Sequence, residues 1–530
     1  SLLSGASVAL IIDPERRIAE VRGESSKALG CSIARLISHS GRVLIDTESL
    51  ADAIVKHLDV LTAVLIRESV YSTDRAFAAV QSDGSVITWG DPNYGGDSAE
   101  VEDSLQSDVT HIYSTEGAFA AVKSDGSVIT WGDPEYGGDS DNAEVKGSLQ
   151  SDVAHIYSTN QAFAAVKSDG SVITWGDPEY GGDSASVNAS LQSDVTHIYS
   201  TDEAFAAVKS DGSIITWGDP DYDSDNAEVK GSLQSDVIHV YTAQRAFAAL
   251  ISDGSVITWG DPDYGGDSAA VKGSLQRDVT NIYLTYWAFA AVKSDGSVIT
   301  WGDPNYGGDS AAVKASLQSA VTRIYSTAGA FAAVKSDGGV ITWGYPNGGG
   351  DSAAVKDSLQ SDVMYIYSTS AAFAAVKSDG SVITWGDPNN GGDSAAVNGC
   401  LQSDVANIFS TQGAFAALKS DGSVITWGDP YYGGDSAAVK DSLQSDVTRI
   451  YLTKGAFAAL KSDGSVITWG DPNYGGDSAA VKASLQSDVT HIYSTRWGTT
   501  FTSGAFAAVK GDGSVITWGN PAGDSSAVSL

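Results

Sequence analysis

The first candidates for chemistry in this 530-residue sequence are acids set at regular intervals in glycine-rich stretches. A Ser-Asp-Gly triplet recurs, as at Asp83, Asp125 and Asp169, and most are followed by a Gly-Gly-Asp triplet, as at Asp97, Asp139 and Asp183. Carboxylates beside glycine in tight loops suit a hard cation such as calcium. The Ser-Asp-Gly acids have a simpler explanation, because an Asp-Gly pair accepts the positive backbone angles of a two-residue hairpin turn. Such a turn does not require the Gly-Gly-Asp acids, so a calcium-stabilised array stays open as one reading. Histidines recur at a single position, His111, His155, His197, His239 and His491, but Asn281, Arg323, Tyr365, Asn407 and Arg449 occupy it elsewhere. A catalytic or metal-binding role does not tolerate that scatter, whereas a solvent-facing strand position does. No GxSxG, HExxH, GxxxxGKS or GxGxxG pattern stands in the strand and helix context its chemistry needs. No catalytic residue, metal site or cofactor is assigned, and a binding protein is expected rather than an enzyme.

The elements that must position these residues follow from a repeat. Tryptophans from Trp89 to Trp518 recur every 42 residues, except for 44 between Trp131 and Trp175 and 49 before Trp518. A period of that size marks stacked supersecondary units, and eleven fit between Val70 and Leu530. Within each, AFAAVK and SVITWG are runs of β-branched and aromatic residues joined by Ser-Asp-Gly, which predicts a hairpin. VTHIYST alternates like a third strand, and SAAVKASL reads as a short fourth strand or a helical turn. Three or four strands per unit match a propeller blade. Paired helices have no room, so a helical solenoid is excluded.

The order Val-x-x-Ile, Val-Lys-Ser-Asp-Gly, Val-x-Thr-Trp-Gly and Tyr-Gly-Gly resembles the regulator of chromosome condensation repeat family over residues 70–530. That family's usual ring has seven blades and its units are longer. The expected fold is therefore mainly β, an eleven-unit propeller-type array. The first unit starts at Val70 without the Gly-Gly-Asp segment that precedes later units, and Gly523 to Leu530 supplies one. A closed ring is favoured on that ground, with a smaller ring plus remainder or an open superhelix as alternatives.

Residues 1–69 read differently: a hairpin over SLLSG and SVALIID, a helix from Ile18 to Leu29, short strands at Arg35-Leu-Ile-Ser and Gly41-Arg-Val-Leu, and a last strand from Leu61 to Ile66. This order is similar to ubiquitin-like α+β domains. The resemblance implies that Leu3, Ile37 and Val64 form an apolar partner-binding patch. A small cap on the array is the competing role.

Composition narrows the partners. Lys and Arg number 31 against 66 Asp and Glu, a net charge of −35. That charge repels phosphate backbones, and nucleic acid is excluded as a partner. No apolar run reaches the eighteen or so residues of a membrane span. The two cysteines, Cys31 and Cys400, form no metal or disulfide motif, and an intracellular location, cytoplasmic or nuclear, is expected.

Binding specificity belongs at positions the scaffold leaves free to vary. Variation concentrates in the pair before each AFAA, which runs from Asp74-Arg75 and Glu116-Gly117 through Asp202-Glu203 and Tyr286-Trp287 to Lys454-Gly455. In the last unit this loop is lengthened and carries Arg496, Trp497 and Phe501. Arg and aromatic residues anchor protein interfaces, so Arg245, Tyr286, Trp287, Arg496, Trp497 and Phe501 are the expected partner-binding residues. The leading reading is a rigid, acidic, multivalent scaffold for protein partners. The family resemblance implies an alternative, nucleotide exchange on a small GTPase, for which Asp202-Glu203 beside Tyr286-Trp287 is the best constellation.

Overall fold

Alternating β-branched and aromatic residues form the strands that their pattern predicts. In the second unit these are Val109–Ser114, Ala118–Lys123 and Val128–Gly132, paired antiparallel in chain order. The computed structural model describes residues 33–37, 62–65, 69–81, 83–140, 143–219, 236–495, 504–512 and 514–519. Each of the eleven units contributes one such three-stranded sheet, so the molecule is a mainly β, propeller-like array. The segment after the third strand is helical: one 3-10 turn at Pro134–Tyr136 and a short helix at Ala143–Ser148 in this unit. Of the two expected forms for SAAVKASL, the described units adopt the helical turn.

The hairpin corrects one expectation. Lys123 N–H donates to Ser127 O at 2.9 Å and Gly126 N–H to Lys123 O at 3.0 Å, which encloses three residues rather than two. Only Gly126, at φ +79°, is left-handed, as in a three-residue loop closed by a glycine bulge. Asp125 instead uses its side chain, with Oδ1 accepting from Ser127 N–H at 2.9 Å and from Ser127 Oγ at 2.7 Å. These bonds favour the carboxylate and hold the equivalent acids, such as Asp169, below the usual aspartate range.

The core lies between units rather than within them. Alternate residues of a middle strand face opposite neighbours, so Ala76, Ala78 and Val80 of unit one pack against Phe119, Ala121 and Trp131 of unit two. Phe119 and Trp131 are cross-strand partners with ring centroids 5.2 Å apart. Burying such a phenylalanine fully contributes about 1.5–3 kcal/mol. The alanines opposite are small enough to admit both rings, and larger residues there would overpack the wall. Trp131 also donates its indole N–H to Gly95 O of the preceding unit at 3.0 Å. Gly95 is required there twice over: its φ is +89°, and a Cβ would stand 2.6 Å from Phe119 Cδ2.

The first strands join neighbouring units as well. The Ser114 hydroxyl donates to Ser72 O of the preceding unit at 2.8 Å, Ser158 donates to Ser114 O at 2.9 Å, and the Tyr241 hydroxyl donates to Asn281 Oδ1 of the next unit at 2.7 Å. The recurrent histidines of this strand are exposed, as a solvent-facing position requires. Phe77, Ala79 and Trp89 of unit one pack with Ala505, Ala507, Val509 and Val515 of unit eleven.

In the N-terminal region, β1 (Ile33–Ile37) pairs antiparallel with β2 (Thr62–Leu65), with Arg35 opposite Val64. These strands fall where Arg35-Leu-Ile-Ser and Leu61 to Ile66 are expected to be extended. The rest of the expected ubiquitin-like domain lies outside the described residues. Among the described residues, no helix is long and apolar enough to cross a membrane.

Candidate functional site

The variable pair is held on one face by a threonine that precedes it in every unit but the fifth, where Ala243 takes its place. Thr115 accepts from Ala118 N–H at 3.1 Å and donates to Tyr136 O at 2.8 Å, so it ties the pair to the Pro-x-Tyr turn of its own unit. The first residue of the pair then bonds to its counterpart in the next unit. Asp74 N–H donates to Glu116 O, Glu116 N–H to Asn160 O and Asn160 N–H to Asp202 O, at 3.0–3.1 Å. The row resumes with Tyr286 to Ala328, Ala328 to Ser370, Ser370 to Gln412 and Gln412 to Lys454. This backbone ladder fixes the spacing of the loops, while their side chains remain free to differ.

A polar cavity of about 430 Å³ opens along the ladder, with Asp74, Glu116, Asn160, Asp202, Gln244 and Tyr286 in its lining. Asp74 and Glu116 are buried. Burial pushes Asp202 above the usual aspartate range, against a hydrogen bond from Gln244 and the nearby Arg245 charge. Burial also raises Glu203, again opposed by Arg245. The Tyr286 hydroxyl is raised by burial first and by Asp202 second. The cavity can receive polar or cationic groups. Among the described residues, no cluster of three or more His, Cys, Asp or Glu could hold a metal ion. The Gly-Gly-Asp acids have a local role, for Asp97 and Asp183 accept from Ala99 and Ala185 N–H at 2.9 and 2.8 Å.

The second residue of the pair meets the tyrosine of the Pro-x-Tyr turn. Where it is glycine the tyrosine covers it: a Cβ on Gly117 would stand 2.8 Å from Tyr136 Cγ, and one on Gly455 2.7 Å from Tyr474 Cδ2. Where it is arginine or tryptophan it lies over the tyrosine. Arg75 lies 4.8 Å over Tyr94 and Arg245 5.4 Å over Tyr264, with Glu203 Oε1 3.7 Å from the Arg245 guanidinium. Trp287 sits 4.2 Å from Tyr306, 6.4 Å from Tyr264 and 5.5 Å from the half-exposed Tyr286. The row of rings extends from Tyr306 to Tyr345 at 5.6 Å.

Three of the expected partner-binding residues, Arg245, Tyr286 and Trp287, therefore lie on this face, and Tyr286 and Trp287 belong to one aromatic cluster. Asp202 and Tyr286 share the polar cavity. Arg496, Trp497, Phe501 and Leu3 lie outside the described residues, as do the side chains of Ile37 and Val64, whose backbones fall on β1 and β2. Tyr264, Tyr306 and Tyr345 are additions that the variable pair does not reveal. Tyr345 has a readable signal: it replaces the aspartate of Trp-Gly-Asp-Pro. That aspartate caps the following turn, as when Asp303 Oδ1 accepts from Asn305 N–H at 2.8 Å, and Tyr345 makes no such bond. Unit seven thus forgoes a cap worth about 1 kcal/mol and gains a 41 % exposed ring.

No protein-family description and no curated protein matches this chain. Solved structures with similarity to it include the computationally designed Ika8 protein, 16% identical with a TM-score of 0.25, covering 60% of this chain and 96% of that one. Human WBSCR16 is 17% identical with a TM-score of 0.28, covering 47% and 80%. Prp20p of Saccharomyces cerevisiae is 15% identical with a TM-score of 0.25, covering 45% and 72%.

Proposed function

We propose that this chain is a non-enzymatic scaffold that binds protein partners, with its eleven units closed into one ring and the loop face as the binding surface. The observation that carries the reading is the coincidence of departures from the repeat. Trp287 stands where five other units have glycine, Tyr345 where nine have aspartate, and both touch Tyr306. Packing fixes the walls between units, so clustered departures that serve no wall are what a binding surface requires. The contact between units one and eleven supports closure. Arg245 and Tyr286 extend the surface, and Arg496, Trp497 and Phe501 belong to the same loop in the last unit. Residues 1–69, with Leu3, Ile37 and Val64, form a second recognition element, and the protein acts inside the cell, in cytoplasm or nucleus.

Affinity capture tests this, with the intact chain beside Trp287→Gly and beside a chain starting at Val70. Specific partners lost with Trp287→Gly place binding on the loop face, and those lost with residues 1–69 place it there. An unchanged capture profile in both would defeat the assignment. The sharing of one cavity by Asp202 and Tyr286 favours nucleotide exchange as a second reading. It requires a small GTPase among the captured proteins and faster nucleotide release from it when the chain is added.

A further inference from the structure

We infer that the groove between the loops of units six and seven takes a proline-rich segment of a partner protein, in polyproline II conformation with a basic residue at its flank. The inference rests on the loop face being the binding surface. The groove holds about 490 Å³ and is lined by Pro304, Asn305, Tyr306, Gly344, Tyr345 and Pro346. Trp287 extends its wall through Tyr306. Alternating tyrosine and proline walls with a tryptophan at one end present flat apolar faces, the surface on which pyrrolidine rings pack. The separations of 4.2 and 5.6 Å carry the row from Trp287 to Tyr345 over roughly one turn of a polyproline II helix, about 9 Å.

Hydrogen bonding selects the same ligand. A polyproline II segment makes no internal hydrogen bonds, so its carbonyls need donors, and the Trp287 indole N–H and the Tyr286 and Tyr345 hydroxyls are of that kind. A sugar on the same platform would need polar side chains beside the rings. The groove lining is tyrosine, proline and glycine apart from Asn305, whose amide already donates to Asp303 Oδ1 at 3.2 Å. Charge sets the flank. Asp303 adjoins Pro304, and the chain carries a net charge of −35. A basic residue beside the prolines is attracted, and an acidic one is repelled.

Fluorescence anisotropy of the whole chain with a labelled peptide of repeated Pro-Pro-Ala ending in arginine tests this. A glycine-serine peptide with the same charge and a proline-rich peptide ending in glutamate serve as controls. Trp287→Gly and Tyr345→Asp each install the residue that other units carry, so the fold is kept, and circular dichroism checks it. The expected result is saturable binding of the arginine-ended proline peptide, at least tenfold weaker in each variant and severalfold weaker with glutamate at the end. Equal binding of the glycine-serine peptide, equal binding by both variants, or no binding overturns the inference, and so does binding of a neutral oligosaccharide in place of the peptide. If the peptide fails while Trp287→Gly still abolishes partner capture, the face stands and the ligand class falls. If both fail, the face falls too.

Discussion

Units six and ten share one scaffold and use the same position in opposite ways. In unit ten, Gly455 is covered by Tyr474, and the tyrosine is itself buried. In unit six, Trp287 lies against Tyr306 and leads to the exposed rings of Tyr286 and Tyr345. The walls beneath are alike: Phe457 meets Trp469 at 5.2 Å in one and Phe289 meets Trp301 at 5.2 Å in the other. The contrast teaches that the wall sets where the loop sits and leaves what it displays unconstrained. Stability and surface display are therefore carried by different residues of one unit.

The largest test of that separation is at the wall. Phe331→Ala removes a fully buried ring stacked on Trp343 and is expected to cost about 3–5 kcal/mol in urea unfolding. Trp287→Gly, by contrast, should shift the same curve by well under half as much. Comparable shifts would break the separation. Next comes Gly433→Ala, where φ is +93° and the new Cβ would stand 2.6 Å from Phe457 Cδ2. A loss of about 1–3 kcal/mol is expected from strained backbone and overpacking, and unchanged stability would deny glycine its part in the wall.

The third test moves the other way. Tyr345→Asp restores a turn cap and is expected to raise stability by about 1 kcal/mol while weakening partner binding. A gain in stability with binding intact would remove Tyr345 from the face. The smallest effect concerns protons. Asp202 has a raised folded pKa, so the native state favours its neutral form, and its contribution falls as pH rises through that value. Asp169 has a lowered folded pKa, so its stabilisation is present above the usual aspartate range and is lost on acidification. Asp202→Asn is accordingly expected to raise the urea midpoint at about pH 7 and to leave it unchanged at about pH 3. The opposite ordering would show that Asp202 is stabilised as a carboxylate.

Strands and unit count are legible because each is written eleven times, and chance departures average out. The turn was misjudged for a physical reason. Asp-Gly suits a two-residue loop, but the backbone bond between Lys123 and Ser127 adds a residue and leaves only glycine left-handed. Arg245, Tyr286 and Trp287 stand out as departures, yet their partners Tyr264 and Tyr306 do not, since those tyrosines belong to the repeat itself. Contact across the unit boundary is what converts repeat residues into site residues, and no pattern along the chain records it. The backbone ladder is equally invisible, being made by atoms every residue carries.

The bond to the glycine carbonyl of the unit before, made by nine of the eleven repeat tryptophans among the described residues, has a genealogical consequence. Tongue and socket are the same in unit after unit, as Trp427 with Gly391 and Trp469 with Gly433 show. Any two units that carry both are thus fit neighbours. Loss or duplication of a whole 42-residue segment would rejoin chemically identical surfaces, so such a chain can change its count by recombination without any seam needing repair.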